Sequence, residues 1–386
     1  MAELRPIRRI VTANDERGRS KVLWDGPAPN VHQASMGSGR GHTNLWVWND
    51  PLPSIAGEAD AGNMPYDFPG PAQGGHLRVV QSVARPPDYD AAKDPDIVPD
   101  HPPKLRPPSR TWDRGGNNAY SSAMHKTETI DYGIQLFGER VLRLDDGEVA
   151  MHPGDIVVQV GAWHQWTSPR EGGIMLFDMM SAHFVDGPVG LAQGNDAPLR
   201  AAANPDLPRD VSLPRRIVTI DRKPDLGSIV GVGPAPDVRT DPARPGFANA
   251  RLWVTDSAPA KIVYETLHLP HMLEPPAPGS VMRVLCLPPD DTWKGKVGAN
   301  EVQAYFRAMG SPAASTYSSK APHPYMQKTR TLEFCAVIDG EATLVLDTQQ
   351  VRMAAGDVAI LRGANHAWSN CSTRPARVAI ASHAAA

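Results

Sequence analysis

The 386-residue sequence predicts an all-β chain made of two domains of one kind. Two observations carry that expectation. The first is an internal duplication. Met124-His125-Lys126-Thr127-Glu128-Thr129-Ile130-Asp131 returns as Met326-Gln327-Lys328-Thr329-Arg330-Thr331-Leu332-Glu333, and Gly161-Ala162-Trp163-His164-Gln165-Trp166 returns as Gly363-Ala364-Asn365-His366-Ala367-Trp368. The offset between Gln327 and His125, Glu333 and Asp131, Gly340 and Gly138, and His366 and His164 is 202 in every case, the mark of a repeated unit. The second is local pattern. Short alternating runs such as Val141–Leu144 and Ile156–Val160 are punctuated by Gly-Asp and Gly-Glu, as strands are by turns.

The duplication extends toward the N-terminus of each unit. Arg8-Arg9-Ile10-Val11-Thr12 returns as Arg215-Arg216-Ile217-Val218-Thr219, and Leu45-Trp46-Val47 as Leu252-Trp253-Val254, both at an offset of 207. Arg78-Val79 against Arg283-Val284 gives 205, so repeat 1 carries five extra residues in its middle loops. The chain therefore divides into residues 1–184, a Gly-, Ala- and Pro-rich linker over 185–210, and residues 211–386. Proline, at 39 residues, concentrates in Pro65–Pro71, Pro86–Pro108 and Pro188–Pro214, and marks these as loops because it donates no ladder hydrogen bond. One helix is expected, from Asn300 to Met309, where Val302, Tyr305, Phe306 and Met309 recur at helical spacing.

Composition narrows the function. At 41% hydrophobic the chain can bury two ordinary cores. A formal charge of −3, with no basic stripe, gives no electrostatic case for nucleic acid or an anionic membrane. The N-terminal residues lack the apolar core of a signal peptide, and no apolar run has the length of a membrane span. Cys286, Cys335 and Cys371 show no pairing or metal-ligand spacing and are expected to be small buried hydrophobes in a reducing compartment. The expectation is a soluble cytoplasmic protein with a small-molecule partner. The repeats can pair as an internal pseudo-dimer, and the sequence is also compatible with a homo-oligomer.

In a strand, alternate side chains share a face, so His125, Thr127, Thr129 and Asp131 project together. A second hairpin returns His164, with Trp166 two residues on facing the same way. A histidine and a carboxylate inside a core must be satisfied by something. Two imidazoles and a carboxylate make the ligand set of non-haem Fe(II) sites, which also accommodates Mn, Ni or Zn. Repeat 2 presents Gln327, Glu333 and His366, a weaker second set because an amide oxygen replaces an imidazole. His42, His76, His183 and His323 lack motif spacing and are expected on the surface or in loops, with His323 close enough to the second motif to reach its pocket.

At these residues the chain resembles the cupin superfamily, and its tandem arrangement resembles a bicupin. The family pattern His-x-His-x₃-Glu-x₆-Gly, then Gly-x₂-His-x₃-Asn, is matched in spacing as His125-x-Thr127-x₃-Asp131-x₆-Gly138 with Gly161-x₂-His164-x₃-Ser168, and again as Gln327-x-Thr329-x₃-Glu333-x₆-Gly340 with Gly363-x₂-His366-x₃-Asn370. The resemblance implies two cupin-type β-barrels (double-stranded β-helix or jelly-roll) and a divalent transition metal. Both repeats have Thr at the second His position, and Asp131 is one methylene shorter than the family's Glu. The leading expectation is a metal-dependent enzyme on a small organic substrate, with preference for iron and dioxygenase chemistry. His125, Asp131 and His164 would hold the ion, Thr127 would orient water or substrate, and Trp166 would line the pocket. Two rivals are a metal-free lyase or isomerase with a His–Asp general base and a non-catalytic ligand-binding protein.

Overall fold

The computed structural model describes residues 3–386 apart from 66–67, 107–109, 169, 185–206, 208–210, 224, 264–265 and 268. The predicted linker, 185–210, lies outside the described residues except for Leu207. Each repeat builds one large sheet facing one small sheet. In repeat 1 the large sheet runs Asn30–His32, Arg40–Trp48, Gly75–Ser82, Gly173–Phe184, Thr129–Gly138, Ile156–Val160. In repeat 2 the same order is Asp237–Thr240, Ala248–Val254, Ser280–Leu287, Ala376–Ala384, Thr331–Asp339, Val358–Arg362. Opposite them stand Gly147–Met151, Arg140–Leu144 and Gln165–Thr167 in one barrel, and Gln350–Ala354, Glu341–Leu346 and His366–Ser369 in the other. The orders agree strand for strand, and the two tandem barrels of the sequence reading are the observed architecture.

The sheets nevertheless cross the division between repeats. Arg8–Asn14, the first strand of repeat 1, pairs in parallel with Val358–Arg362 and brings its antiparallel partner Ser20–Pro27 into the sheet of repeat 2. Arg215–Lys223 in turn pairs in parallel with Ile156–Val160 and brings Leu226–Pro234 into the sheet of repeat 1. The N-terminal hairpins are exchanged. The duplicated Arg9 and Arg216 secure the exchange: Arg9, fully buried, donates to the Leu45 carbonyl and pairs with Asp60, and Arg216 donates to the Leu252 carbonyl.

Strand alternation gives each large sheet two buried faces. Ile130, Tyr132, Ile134, Leu77, Val79, Leu176 and Met180 point outward into one apolar core that they share with Phe334, Ala381, Met282 and Trp253 of repeat 2. Asp131, Arg78, Val80, Phe177 and Met179 take the other face, toward the barrel interior. Gly133 keeps that interior open, because a Cβ there would lie 2.7 Å from Val157 Cγ1 and 2.9 Å from Phe177. The motif glycines keep equivalent backbone in both barrels: Gly138 and Gly340 turn at φ 65° and 72°, a left-handed conformation that a side chain would strain.

The expected helix is present as Ala299–Ala308, with Val302, Tyr305, Phe306 and Met309 buried and Glu301 accepting from the Gly298 N–H at its start. Cys286 and Cys335 are buried as anticipated, but Cys371 is exposed, because it follows the end of the strand His366–Ser369. No helix among the described residues is long and apolar enough to cross a membrane.

Lys126, wholly buried, forms an ion pair with the equally buried Asp221 of the exchanged hairpin, and Asp221 also accepts from the Trp163 N–H at 3.0 Å. Removing only the cation strands a buried carboxylate. Lys126→Met is therefore expected to lower unfolding free energy by about 3–5 kcal/mol in chemical denaturation, and Lys126→Met with Asp221→Asn to recover most of that loss. Equal stability of the wild type and the single variant would remove the ion pair from the account of how the hairpin is held.

Candidate active site

The chain bends at Glu128, so His125–Thr127 joins a small three-stranded sheet while Thr129–Gly138 enters the large one. His125 and His164 are then bound to each other through both backbone pairs, His125 N–H to the His164 carbonyl at 2.8 Å and the reverse at 2.9 Å. Their rings lie with centroids 4.2 Å apart. Each ring is held the same way, with Nδ1 2.8 Å from a backbone carbonyl, Ala123 for His125 and Ala162 for His164. An imidazole donating at Nδ1 carries its lone pair on Nε2. Burial pushes His125 down to about 4 and His164 well below its usual range, so both rings are neutral at physiological pH.

Asp131 sits on the large sheet between Gln159 and Met179 of the flanking strands. Burial lifts its carboxyl to about 7 against a hydrogen bond from Thr129, and the charge of Asp178 adds to the lift. Its Oδ1 is buried without a hydrogen-bond partner. Asp131, His125, His164 and Trp166 all line one inner chamber of about 60 Å³, which opens through Met36, Arg40, Phe68 and Arg78 into an outer cavity of about 550 Å³. Trp166 packs edge-on against His164 and Phe177. Thr127 lines neither space; its hydroxyl lies 2.7 Å from that of Thr129, as Thr329 does from Thr331 at 2.6 Å in repeat 2.

The sequence-derived set thus shares a chamber without converging on a point. Among the described residues no three His, Cys, Asp or Glu side chains stand where one ion could be shared. The two imidazole lone pairs suit a transition metal, but the shortened Asp131 does not complete a three-residue site with them. The His–Asp dyad of the metal-free alternative is also not formed, since backbone carbonyls rather than Asp131 orient both rings.

The residues missed by motif spacing are cationic. Arg40, Arg78 and Arg140 all line the inner chamber and are buried. Burial pushes Arg78 and Arg140 down to about 9 and Arg40 to about 10, and all three remain charged at neutral pH. Arg140 donates to Ser82 Oγ at 2.8 Å, Arg78 to Asn44 Oδ1 at 3.1 Å and Arg40 to the Ala119 carbonyl at 3.3 Å. A signal was present in the strand Arg140–Leu144, where alternation puts Arg140 on the inward face with Leu142 and Leu144. His42 and His76 are likewise buried strand residues rather than loop or surface ones, because the whole strand Gly75–Ser82 is covered on both faces and His42 lines the outer cavity. His183 is exposed as expected.

In repeat 2 the equivalent residues bond to one another. Glu333 accepts from Arg283 at 2.9 Å and from Ser382 at 2.7 Å, and lies 3.4 Å from His366, whose Nε2 is 3.3 Å from Gln327. Burial works against its ionisation, but His366 and Arg283 hold its carboxyl below the usual range. Where repeat 1 has Gly37, Arg40 and Ala123, repeat 2 has Arg244, Phe247 and Tyr325. The Arg244 guanidinium stands 3.5 Å from the Tyr325 ring centre and 3.7 Å from that of Phe247, and pairs with Asp241 at 2.7 Å. His323 belongs to this aromatic packing, with its ring 5.7 Å from Trp293.

Residues 318–382 match the family model described as Cupin domain. Those residues of repeat 2 are thus a cupin domain, and the barrel of repeat 1 repeats its strand order. The chain is 46% identical over 64 residues to phomopsin biosynthesis cluster protein C' of Diaporthe leptostromiformis, covering 16% of this chain and 34% of that one. It is 42% identical over 60 residues to a cupin-domain-containing oxidoreductase of Hypocrea virens, covering 15% and 31%. The chain spans about a third of the length of these curated relatives. Solved structures that align over most of the chain include a putative glyoxylate-induced protein from Pseudomonas aeruginosa (TM-score 0.39, 11% identity, 91% of this chain and 82% of that one). A salicylate 1,2-dioxygenase from Pseudoaminobacter salicylatoxidans aligns with TM-score 0.38 and 10% identity, over 92% of this chain and 76% of that one.

Asp131 makes a stability prediction with a definite sign. A carboxyl that protonates near 7 when folded and near 3.8 when unfolded binds more protons in the folded state between those values. Its contribution is therefore lost as pH rises through that window. Asp131→Asn removes the ionisation, so the variant should gain on wild type from about pH 4 upward and level off above about pH 7, by as much as a few kcal/mol. Urea denaturation of both proteins across pH 4–9 checks this; a gap that narrows with rising pH would contradict the environment assigned to Asp131.

Proposed function

We propose that this cupin is an enzyme working in the barrel of repeat 1, moving a proton to and from a small organic substrate through Asp131. The observation that carries the reading is the Asp131 carboxyl, buried at the chamber with an unpartnered Oδ1 and lifted to about 7. A general acid or base works best when its pKa lies near the operating pH. As carboxylate, Asp131 accepts a proton from the substrate; as carboxylic acid, it returns one elsewhere on the same molecule or to a leaving group. The neutral His125 and His164 offer Nε2 as hydrogen-bond acceptors that orient a substrate hydroxyl or amine. Trp166 and Phe177 wall the chamber on one side and exclude water. Isomerisation and elimination are the reaction types this machinery serves.

A second reading, metal-dependent oxidoreductase chemistry with iron, manganese, nickel or zinc, is favoured by one feature. Both imidazoles are fixed by Nδ1 donation to carbonyls, the arrangement that presents Nε2 to an ion. The name of the Hypocrea virens relative points the same way. In a dioxygenase form of this reading Asp131 would have to swing toward the two rings to supply a third ligand.

Solvent exchange separates the two. With a panel of small organic substrates in D₂O, the chelator-treated wild type is expected to place deuterium on the turned-over substrate without consuming oxygen. Asp131→Asn should slow that exchange by about a hundredfold or more. Oxygen uptake that requires an added metal, together with about one bound ion per chain in tag-free protein, would replace the proton-transfer reading by the oxidoreductase one. Ligand binding with neither signal would leave a binding protein.

A further inference from the structure

The barrel of repeat 1 holds an excess of buried positive charge that its own side chains do not neutralise. Arg140 is 2% exposed, donates from Nη2 to the neutral Ser82 hydroxyl, and leaves Nε without a partner. Among the described residues it forms no ion pair within 4.0 Å. Arg40, 8% exposed, has a backbone carbonyl as its hydrogen-bond acceptor. Asp96 favours its charge without forming an ion pair with it among the described residues, and its Oδ2 accepts from the Ser38 N–H. The two guanidinium groups repel each other as well, Arg40 adding to the depression of Arg140. Asp131, the acidic residue lining the inner chamber, forms no ion pair with either arginine among the described residues. Buried charge without a counter-charge is strongly unfavourable, and it is kept where a ligand supplies the missing sign.

Shape then specifies the ligand. The inner chamber, at about 60 Å³, admits only a few non-hydrogen atoms, the bulk of a carboxylate and the carbon that bears it. A planar guanidinium fork matches a planar carboxylate with two parallel hydrogen bonds. The outer cavity, at about 550 Å³, has room for an organic body, with Phe68 and Met36 as apolar wall and His42 as a neutral polar one. Repeat 2 has Ala342 in place of Arg140 and Phe247 in place of Arg40, so the charge excess belongs to one barrel.

We infer that the substrate of repeat 1 is a small organic acid that enters head-first, its carboxylate in the inner chamber against Arg140 and Arg40 and its body in the outer cavity. The inference rests on repeat 1 being the working barrel, and it adds the class of molecule. It is tested by calorimetric titration of the full chain with aliphatic and aromatic monocarboxylates, with their carboxamides as neutral counterparts of equal shape, and with inorganic phosphate. Carboxylates are expected to bind, and carboxamides to bind at least about tenfold more weakly. Arg140→Met should weaken carboxylate binding at least about tenfold, while Arg140→Lys should retain part of it. Arg140→Met should also unfold at an equal or higher denaturant concentration than wild type, since it removes an uncompensated buried charge. Carboxamides binding as well as carboxylates, phosphate binding in their place, or marked destabilisation of Arg140→Met would each overturn the proposal. Carboxylate binding without solvent exchange would sustain it and sink the proton-transfer reading instead, so the two fail separately.

Discussion

The parallel pairing of each N-terminal strand with the opposite repeat is the constraint on which the rest of the molecule depends. It closes the edge of each large sheet at Ile156–Val160 and at Val358–Arg362, and an unclosed edge of this length is a template for uncontrolled pairing. It also brings the outward faces of the two sheets together into one apolar core. Because that core covers one face, every polar side chain on the other face points into a closed barrel. Asp131 is a functional candidate for that reason: it is buried on a covered sheet, and its Oδ1 has no hydrogen-bond partner.

The two barrels differ by small substitutions with large electrostatic results. In repeat 2 the longer Glu333 reaches Arg283 and Ser382, and the interior is neutral and hydrogen-bonded. In repeat 1 the equivalent carboxylate is Asp131, one methylene shorter, with Thr129 and the like-charged Asp178 as the groups that influence it. Arg140 adds a charge where Ala342 has none, and Arg40 adds another where Phe247 contributes a ring. Repeat 2 meanwhile seats Arg244 among Phe247, Tyr305 and Tyr325, at the place where repeat 1 is open. The interior of one barrel is filled by its own paired side chains, and that of the other is an open chamber lined by arginines.

Much of this was legible from spacing. The constant offset and the motif glycines at 138 and 340 report backbone turns that recur with nearly the same φ, so the equivalence of the barrels could be read from sequence. The helix at Ala299–Ala308 could be read because its apolar stripe repeats at helical period. Alternation grouped His125, Thr127, Thr129 and Asp131 on one face. His125 and Asp131 line one chamber with His164 and Trp166, whereas Thr127 and Thr129 do not, because the strand bends at Glu128. Alternation fixes a face and not a distance, so it could not say whether three ligands would meet. The hairpin exchange left no local trace either, because Arg8–Asn14 has the same pattern whichever sheet receives it. Arg40 and Arg140 escaped notice for a related reason. Arginine in a strand is ordinarily a solvated residue, and only the second covered face makes it a buried one.

The exchanged hairpins also say something about how such a chain can assemble. In a protein of one repeat the same pairing must be made between two molecules, and its extent then varies with their concentration. Joining the repeats in one chain turns that encounter into an intramolecular event at a high and constant effective concentration. The segment between them is therefore less a spacer between finished units than the tether that lets two unfinished ones complete each other.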